Sequence, residues 1–305
     1  MLRWVRYLEE ERVRRFDLIE PSTLAEAARV LAEEPDMKAI AGGTALLVLM
    51  KQGVFLPERL VNLKKIRESS YVDFEPGRGL RLGALTPISD IESHAAVRRH
   101  YPVLAEAAHT VANVRIRNLA TIGGNIAHAD SQSDPPAVLV ALGARVAIIG
   151  PSGERWVPID EFVTGTYETA LGPGELIREI EVPPPRPEEA GVYLKFVTRT
   201  AGDRPCVGVA AFAGCDRGVV ESIRIVVGAV NPMPVRMTAC EEYLRGRQVS
   251  GRLVDEAARL AANAVDPVDD DLRGSEWYKR QVVPVLVRRA LERILGPAAS
   301  REGAA

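Results

Sequence analysis

The sequence predicts an α+β chain of two domains, and three observations carry that prediction. At 305 residues it is long enough for two compact domains of about 100–200 residues each. Strand-like and helical stretches are mixed up to a proline-rich run, PPPRPEEAG (183–191), and beyond it strands come first and helices afterwards. Prolines cannot donate to a ladder and favour an extended linker. The boundary is therefore expected near residue 187, giving domains over 1–187 and 188–305.

FDLIEP alternates apolar and polar residues as a strand does. STLAEAARVLAEEPD follows as a helix: Thr23 and Glu26 form a capping-box pattern, Leu24, Ala27, Ala28 and Leu31 share one face, and Pro35 stops it. KAIAGGTALLVLMKQG is an apolar approach to Gly42 and Gly43, with Thr44 placed to cap a short apolar helix that Gly53 ends. RLVNLKKI completes a strand-helix-strand-helix-strand unit. VDFEPGRGLRLGALTP is a hairpin turning at 76–79, and DIESHAAVRRHYPVLAEAAHTVANV has helical composition. TIGGN (121–125) is a second glycine turn. After it PPAVLVALGARVAIIG runs from helix into strand, PSGE turns, and RWVPI and GELIREIEVP are strands. In the second domain VYLKFVTR, PCVGVAAFAG and VVESIRIVVGAV are strands, with CDRG a tight turn. MTACEEYLRG, LVDEAARLAANAV and SEWYKRQVVPVLVRRALERIL are helices, the last expected to kink at Pro284.

Composition narrows the function. Hydrophobic residues make up 47%, charged residues 26%, and the net charge is −2, without the positive excess that nucleic acid binding demands. MLRWVRYLEEERVRRF has no uninterrupted apolar core of the kind a signal peptide needs, and no apolar run approaches the ~20 residues of a membrane span. Cys206, Cys215 and Cys240 are too few and too scattered for an iron–sulfur cluster, which usually takes four thiolates. His94, His100, His109 and His128 show no pairing with cysteine at zinc-ligand spacing. A reduced, cytoplasmic chain without its own metal is expected.

Glycine-rich turns at the start of a helix make anion sites, because unpaired N–H groups point outward and no Cβ blocks the ligand. AGGTALL and TIGGN both have that form; each is also a plausible tight structural turn. No GxGxxG follows a strand, and there is no GxxxxGK[ST] or GxSxG, so neither a Rossmann site, a Walker loop nor a nucleophile elbow is supported.

AGGTALLVLMK, IRNLATIGGNIAHADSQSDPPAVLVALGA, the pair GELI and YLKFVTR, and the terminal DLRGSEWYKR resemble, in this order and over nearly the whole chain, the FAD-binding medium subunit of the molybdenum hydroxylases. That family includes carbon monoxide dehydrogenase medium subunits and the flavin segment of xanthine dehydrogenase. The resemblance implies a PCMH-type FAD-binding domain in two subdomains, about 1–66 and 67–187, with the cofactor between them. A smaller α/β carboxy-terminal domain of the carbon monoxide dehydrogenase flavoprotein type follows.

It implies that Ala41, Gly42, Gly43, Thr44, Ala45, Leu46 and Leu47, with Thr121, Gly123, Gly124 and Asn125, wrap the pyrophosphate and ribityl chain. The contacts would come from backbone N–H groups and from the Thr44, Thr121 and Asn125 side chains. Asp134 would accept from a cofactor hydroxyl, and Ile177 would pack near the flavin or adenine. Lys195 would stand near the pyrimidine end of the isoalloxazine, where a positive charge raises the flavin potential. His128 is expected only as a contact in the cofactor loop. Val111 stands where the xanthine dehydrogenase pattern carries an aromatic over the flavin. Without the resemblance, Asp134 reads as a turn cap before Pro135 and Lys195 as a solvated strand lysine. Trp277 and Tyr278 read as packing anchors.

The implied role is an electron-transfer flavoprotein subunit, with no catalytic residue and no metal ligand of its own. A small partner with two [2Fe–2S] clusters would deliver electrons from a large molybdopterin subunit, in a heterotrimer that dimerises, and an external acceptor would take them. The rivals are a stand-alone FAD oxidoreductase of the same fold and a non-redox nucleotide-binding or assembly module.

Overall fold

The computed structural model describes residues 15–34, 36–265 and 270–296. The expectations for residues 1–14 and for Pro35 lie outside the described residues. The fold is α+β, built on three sheets and one small hairpin.

The first sheet holds β1 (Asp17–Ile19), β2 (Lys38–Ile40) and β3 (Arg59–Asn62) in the parallel order β1-β3-β2, connected by α1 (Leu24–Glu33) and α2 (Leu46–Lys51). Thr23 Oγ1 caps α1 by accepting the Glu26 N–H at 3.1 Å. The Glu26 carboxylate reaches back one residue further than a capping box requires, to the N–H and hydroxyl of Ser22. Leu24, Ala27 and Ala28 then pack on Val61, Leu63 and Ile66. The expected Thr44 cap is corrected: the N-cap of α2 is Ala45, and no side chain caps it. Gly43, at φ +73°, turns the chain one residue earlier, and its carbonyl takes the Leu47 N–H. Gly53, at φ +71°, does follow the end of that helix.

The second sheet is antiparallel, in the order β4-β5-β10-β6-β7: β4 (Val72–Glu75), β5 (Gly79–Gly83), β6 (Arg145–Gly150), β7 (Gly153–Pro158) and β10 (Leu176–Val182). Between β5 and β6 run α3 (Ile88–Ser93), α4 (Ala95–His100), α5 (Pro102–Thr110), α6 (Val114–Arg117), α7 (Ile122–His128) and α8 (Pro135–Leu142). The stretch of helical composition is thus four short helices. Pro102 drives Tyr101 out of helical geometry, and the Asn113 side chain starts α6 by accepting from the Arg115 and Ile116 N–H groups. A short helix, α9 (Ile159–Phe162), and a hairpin of β8 (Val163–Gly165) and β9 (Glu168–Thr169) lie beyond β7; elements this short have no periodicity to read.

The third sheet, β11 (Glu189–Phe196), β12 (Val207–Asp216), β13 (Val219–Gly228) and β14 (Val235–Arg236), is antiparallel, and most of its central strand β12 is buried on both faces. Along β12, Val207, Val209, Ala211 and Ala213 enter the core shared with α10 (Thr238–Leu244), α11 (Gly251–Ala264) and α12 (Glu276–Leu295). Ala210 and Phe212 enter the core of the second sheet and its helices. Side chains alternate across a strand, so one apolar run packs against both domains. Helix α12 is assigned without a break through Pro284. Among the described residues, no helix is long and apolar enough to cross a membrane.

Candidate functional site

The two glycine segments meet. A Cβ on Gly42 would lie 2.0 Å from the Leu119 carbonyl oxygen and 3.0 Å from the Ala120 Cα, so only glycine lets the first loop come this close to the residues leading into the second. From Gly42 to Leu46, five consecutive N–H groups have no acceptor among the described residues; the first one bonded is that of Leu47. The first of them, Gly42, lines a cavity of about 390 Å³ together with Ala41, Leu119 and Thr121 and two cations, Lys64 and Arg67.

TIGGN has a different role from the one expected. Thr121 is the N-cap of α7, and both glycines lie within the first helical turn. The Ile122 N–H is taken by the Thr86 carbonyl, that of Gly123 by Ala84, that of Gly124 by Thr121 Oγ1, and that of Asn125 by the Thr121 carbonyl. The expectation that this segment offers its row of N–H groups to a ligand is therefore narrowed: the donors of Ile122, Gly123, Gly124 and Asn125 are spent in the fold, and only that of Thr121 has no acceptor among the described residues. Gly123 is needed for packing, since a Cβ there would lie 2.6 Å from Ala84 Cβ. Gly124 is less confined: a Cβ there would meet Thr121 Oγ1 at 2.8 Å, pressing on the cap, and otherwise only Ala41 Cβ at 3.9 Å. The first loop leaves a row of backbone donors unpaired, and the second has no side chain at Gly124 opposite Ala41.

Asp134 and Lys195 form one buried unit. Lys195 Nζ donates to Asp134 Oδ2 at 3.0 Å and to the Thr110 carbonyl at 2.8 Å, while the Tyr193 hydroxyl donates to Asp134 Oδ1 at 2.7 Å. The two side chains are 6% and 5% exposed, so Lys195 is no solvated lysine. Asp134 precedes α8 in helical geometry and makes no capping bond, which removes the turn-cap alternative. Burial pushes the Asp134 carboxyl up, against the pull of Lys195 and Tyr193. Through Thr110 the pair also fixes the chain at Val111, which is half-buried beside the core. His128 ends α7 with its ring 5.0 Å from that of Tyr167. Burial pushes its pKa down, with Asp130 opposing and Arg204 adding to the effect. Ile177 sits in the core of the second sheet, opposite Ile148.

A family model described as "FAD binding domain in molybdopterin dehydrogenase" matches residues 14–185, and one described as "CO dehydrogenase flavoprotein C-terminal domain" matches residues 192–294. The chain belongs to the molybdopterin-dehydrogenase FAD-binding family. It is 33% identical over 279 residues to the glyceraldehyde dehydrogenase medium chain of Sulfolobus acidocaldarius, covering 92% of this chain and 98% of that one. To the carbon monoxide dehydrogenase medium chain of Hydrogenophaga pseudoflava it is 35% identical over 278 residues, covering 91% and 96%. A solved carbon monoxide dehydrogenase from H. pseudoflava, lacking the Mo-pyranopterin moiety of its cofactor, superposes with a TM-score of 0.88 at 36% identity, over 92% of this chain and 97% of that one.

As a member of this family the chain binds FAD, and its residues fit the cofactor. Five N–H groups without an acceptor among the described residues, the first of them at a cavity that also holds two cations, suit a pyrophosphate, and Gly124 places no side chain opposite Ala41 at the start of that loop. Sequence reasoning missed Lys64 and Arg67, whose signal is the basic cluster KKIR directly after β3. It also missed Tyr193, which looks like an ordinary strand aromatic until Asp134 is seen beneath its hydroxyl.

Proposed function

We propose that this chain is the electron-transfer flavin subunit of a molybdenum-containing hydroxylase. In this reading it takes electrons from [2Fe–2S] clusters on a small partner chain and passes them to an external acceptor. The row of free N–H groups from Gly42 to Leu46 is the observation that carries the cofactor part of this reading. FAD, once bound, supplies the ability to take electrons singly and give them up as a pair. The chain's own residues bind and orient it: the 41–47 loop with Lys64 and Arg67 would hold the pyrophosphate, and Thr121 and Asn125 would shape the turn facing it. The Lys195 ammonium would lie near the ring system. Its charge is shared with Asp134, so its effect on the flavin potential is smaller than that of a lone lysine.

The partners are supported by the names of the relatives, which are medium chains of dehydrogenases. The chain's own cysteines are three separate free thiols, two of them buried. Among the described residues no group of three or more His, Cys, Asp or Glu is placed to hold a metal. The reading assigns iron to a small subunit and molybdopterin to a large one. Co-purification from the native source, followed by an absorbance spectrum and metal analysis, tests it. Molybdenum, iron and FAD in one complex are expected, and the isolated chain should reduce dyes only slowly. A colourless monomer contradicts the proposal, and turnover of an organic substrate by the isolated chain would replace it with a stand-alone oxidoreductase.

A further inference from the structure

Residues 129–134, between α7 and α8, have no regular structure, yet the carboxy-terminal domain holds their polar side chains at three places. Arg204 Nη2 lies 2.8 Å from Asp130 Oδ2, and Lys195 holds Asp134. Between them Gln132, 8% exposed, donates its Nε2 to Asp271 Oδ2. This middle anchor is the most elaborate. Asp271 Oδ1 accepts the N–H groups of Arg273 at 2.7 Å and Gly274 at 3.1 Å, and its Oδ2 also takes Lys279 Nζ at 2.8 Å.

Lys279 has no exposed side-chain surface, and a buried ammonium is tolerated only beside a well-placed counter-charge. Gly274 is tightly packed: a Cβ would lie 3.0 Å from the Tyr278 ring and 3.2 Å from Cys206 Sγ, so those side chains would have to give way. The DLRGSEWYKR segment thus folds so that one carboxylate oxygen is presented to a loop of the other domain. From there the restraint continues. The Gln132 N–H bonds Asp130 Oδ1 at 3.0 Å, and the adjacent Ser133 hydroxyl donates to Asn125 Oδ1 at 2.8 Å. Asn125 follows Gly124 in α7.

We propose that Asp271, fixed by Lys279, is a positioning residue for FAD: through Gln132 it holds residues 130–134 and, by way of Ser133 and Asn125, the helical turn that leaves space at Gly124. The inference rests on the placement of the cofactor between the two glycine segments. A loop held in its binding form before the ligand arrives spares the ordering cost at binding, so cutting the latch weakens FAD without removing any contact to it.

The test uses the full chain and three variants: Gln132→Ala, which leaves the Asp271–Lys279 pair intact, Asp271→Asn, and the two combined. Amide exchange over residues 126–134 is measured on the flavin-free protein, and FAD affinity by titration. Gln132→Ala is expected to speed exchange in that segment with little change in melting temperature, and to weaken FAD about tenfold. Asp271→Asn also leaves Lys279 without its counter-charge and should lower the melting temperature. On its own it should weaken FAD, but it should add nothing to the FAD loss of Gln132→Ala, because Asp271 reaches the loop through Gln132. FAD losses that simply add would overturn the proposal. So would unchanged exchange in a chain that still binds FAD, which shows that there is no latch. Faster exchange with unaltered FAD affinity overturns it differently: the loop is latched, but the cofactor does not sit against it.

Discussion

Gly123 and Gly124 are neighbours in sequence and differ in packing, the first pressed against Ala84 and the second exposed. Gly123→Ala must push against the Ala84 backbone and is expected to cost about 1–3 kcal/mol, the range for overpacking, read as a lower denaturation midpoint. Lys195→Met leaves the Asp134 carboxylate buried without its cation, which should cost roughly 3–5 kcal/mol in urea unfolding. Adding Asp134→Leu should recover a large part of that loss. A third residue sets the acid response. Glu179, 1% exposed, accepts from Tyr71, Arg81 and Arg178. Burial pushes its pKa up, but the Tyr71 hydroxyl and the two guanidinium groups outweigh burial and hold it below 4.5. A depressed carboxylate contributes stability that is fully present above its unfolded pKa and lost as pH falls through its folded one. The unfolding free energy should therefore drop below about pH 5, and Glu179→Gln should flatten that part of the profile. Of these residues the family resemblance names the two glycines, Asp134 and Lys195; the residues alone show the glycine pair but read Asp134 as a turn cap and Lys195 as a solvated lysine. It does not show that Asp134 and Lys195 bond each other, because they lie far apart in the chain and meet only across a domain boundary.

Among the elements, those with a strong period or a turn signal are legible in the sequence: α1 with its Thr23 cap, the β4–β5 hairpin around Pro76, and the β12–β13 hairpin around CDRG. Where sequence and structure differ, the causes are local. TIGGN reads as a turn because glycine pairs usually are turns, whereas here close packing on Ala84 stabilises a helical start in spite of them. Thr44 reads as a cap because cap identity depends on where Gly43 bends the chain, which composition does not record. Helix α12 runs through Pro284, which can neither donate to the carbonyl four residues back nor avoid crowding it. Pro284→Ala is therefore expected to stabilise the protein by about 1 kcal/mol or more, read as a rise in melting temperature.

At the scale of the whole molecule, the third sheet joins the two halves of the chain. One face of β12 serves the carboxy-terminal core and the other serves the domain that carries the glycine loops, so the two cannot be treated as beads on a linker. That double burial follows from an uninterrupted apolar run, PCVGVAAFAG, which is legible as a strand; which partner each face meets is not, since alternation is blind to what lies opposite. Through β11 and residues 271–279 the same domain holds Asp134 and Gln132, so the site's geometry is set by both halves of the chain. The central claim is that FAD lies between a loop that gives donors, Gly42 to Leu46, and a helical turn that gives room at Gly124. It is tested most directly by measuring flavin retention and FAD affinity in Gly124→Val beside the unaltered chain. The unaltered protein should hold FAD, and the variant should lose it while its far-UV spectrum and carboxy-terminal core stay intact. A Gly124→Val protein that binds FAD as tightly as the original would contradict that placement.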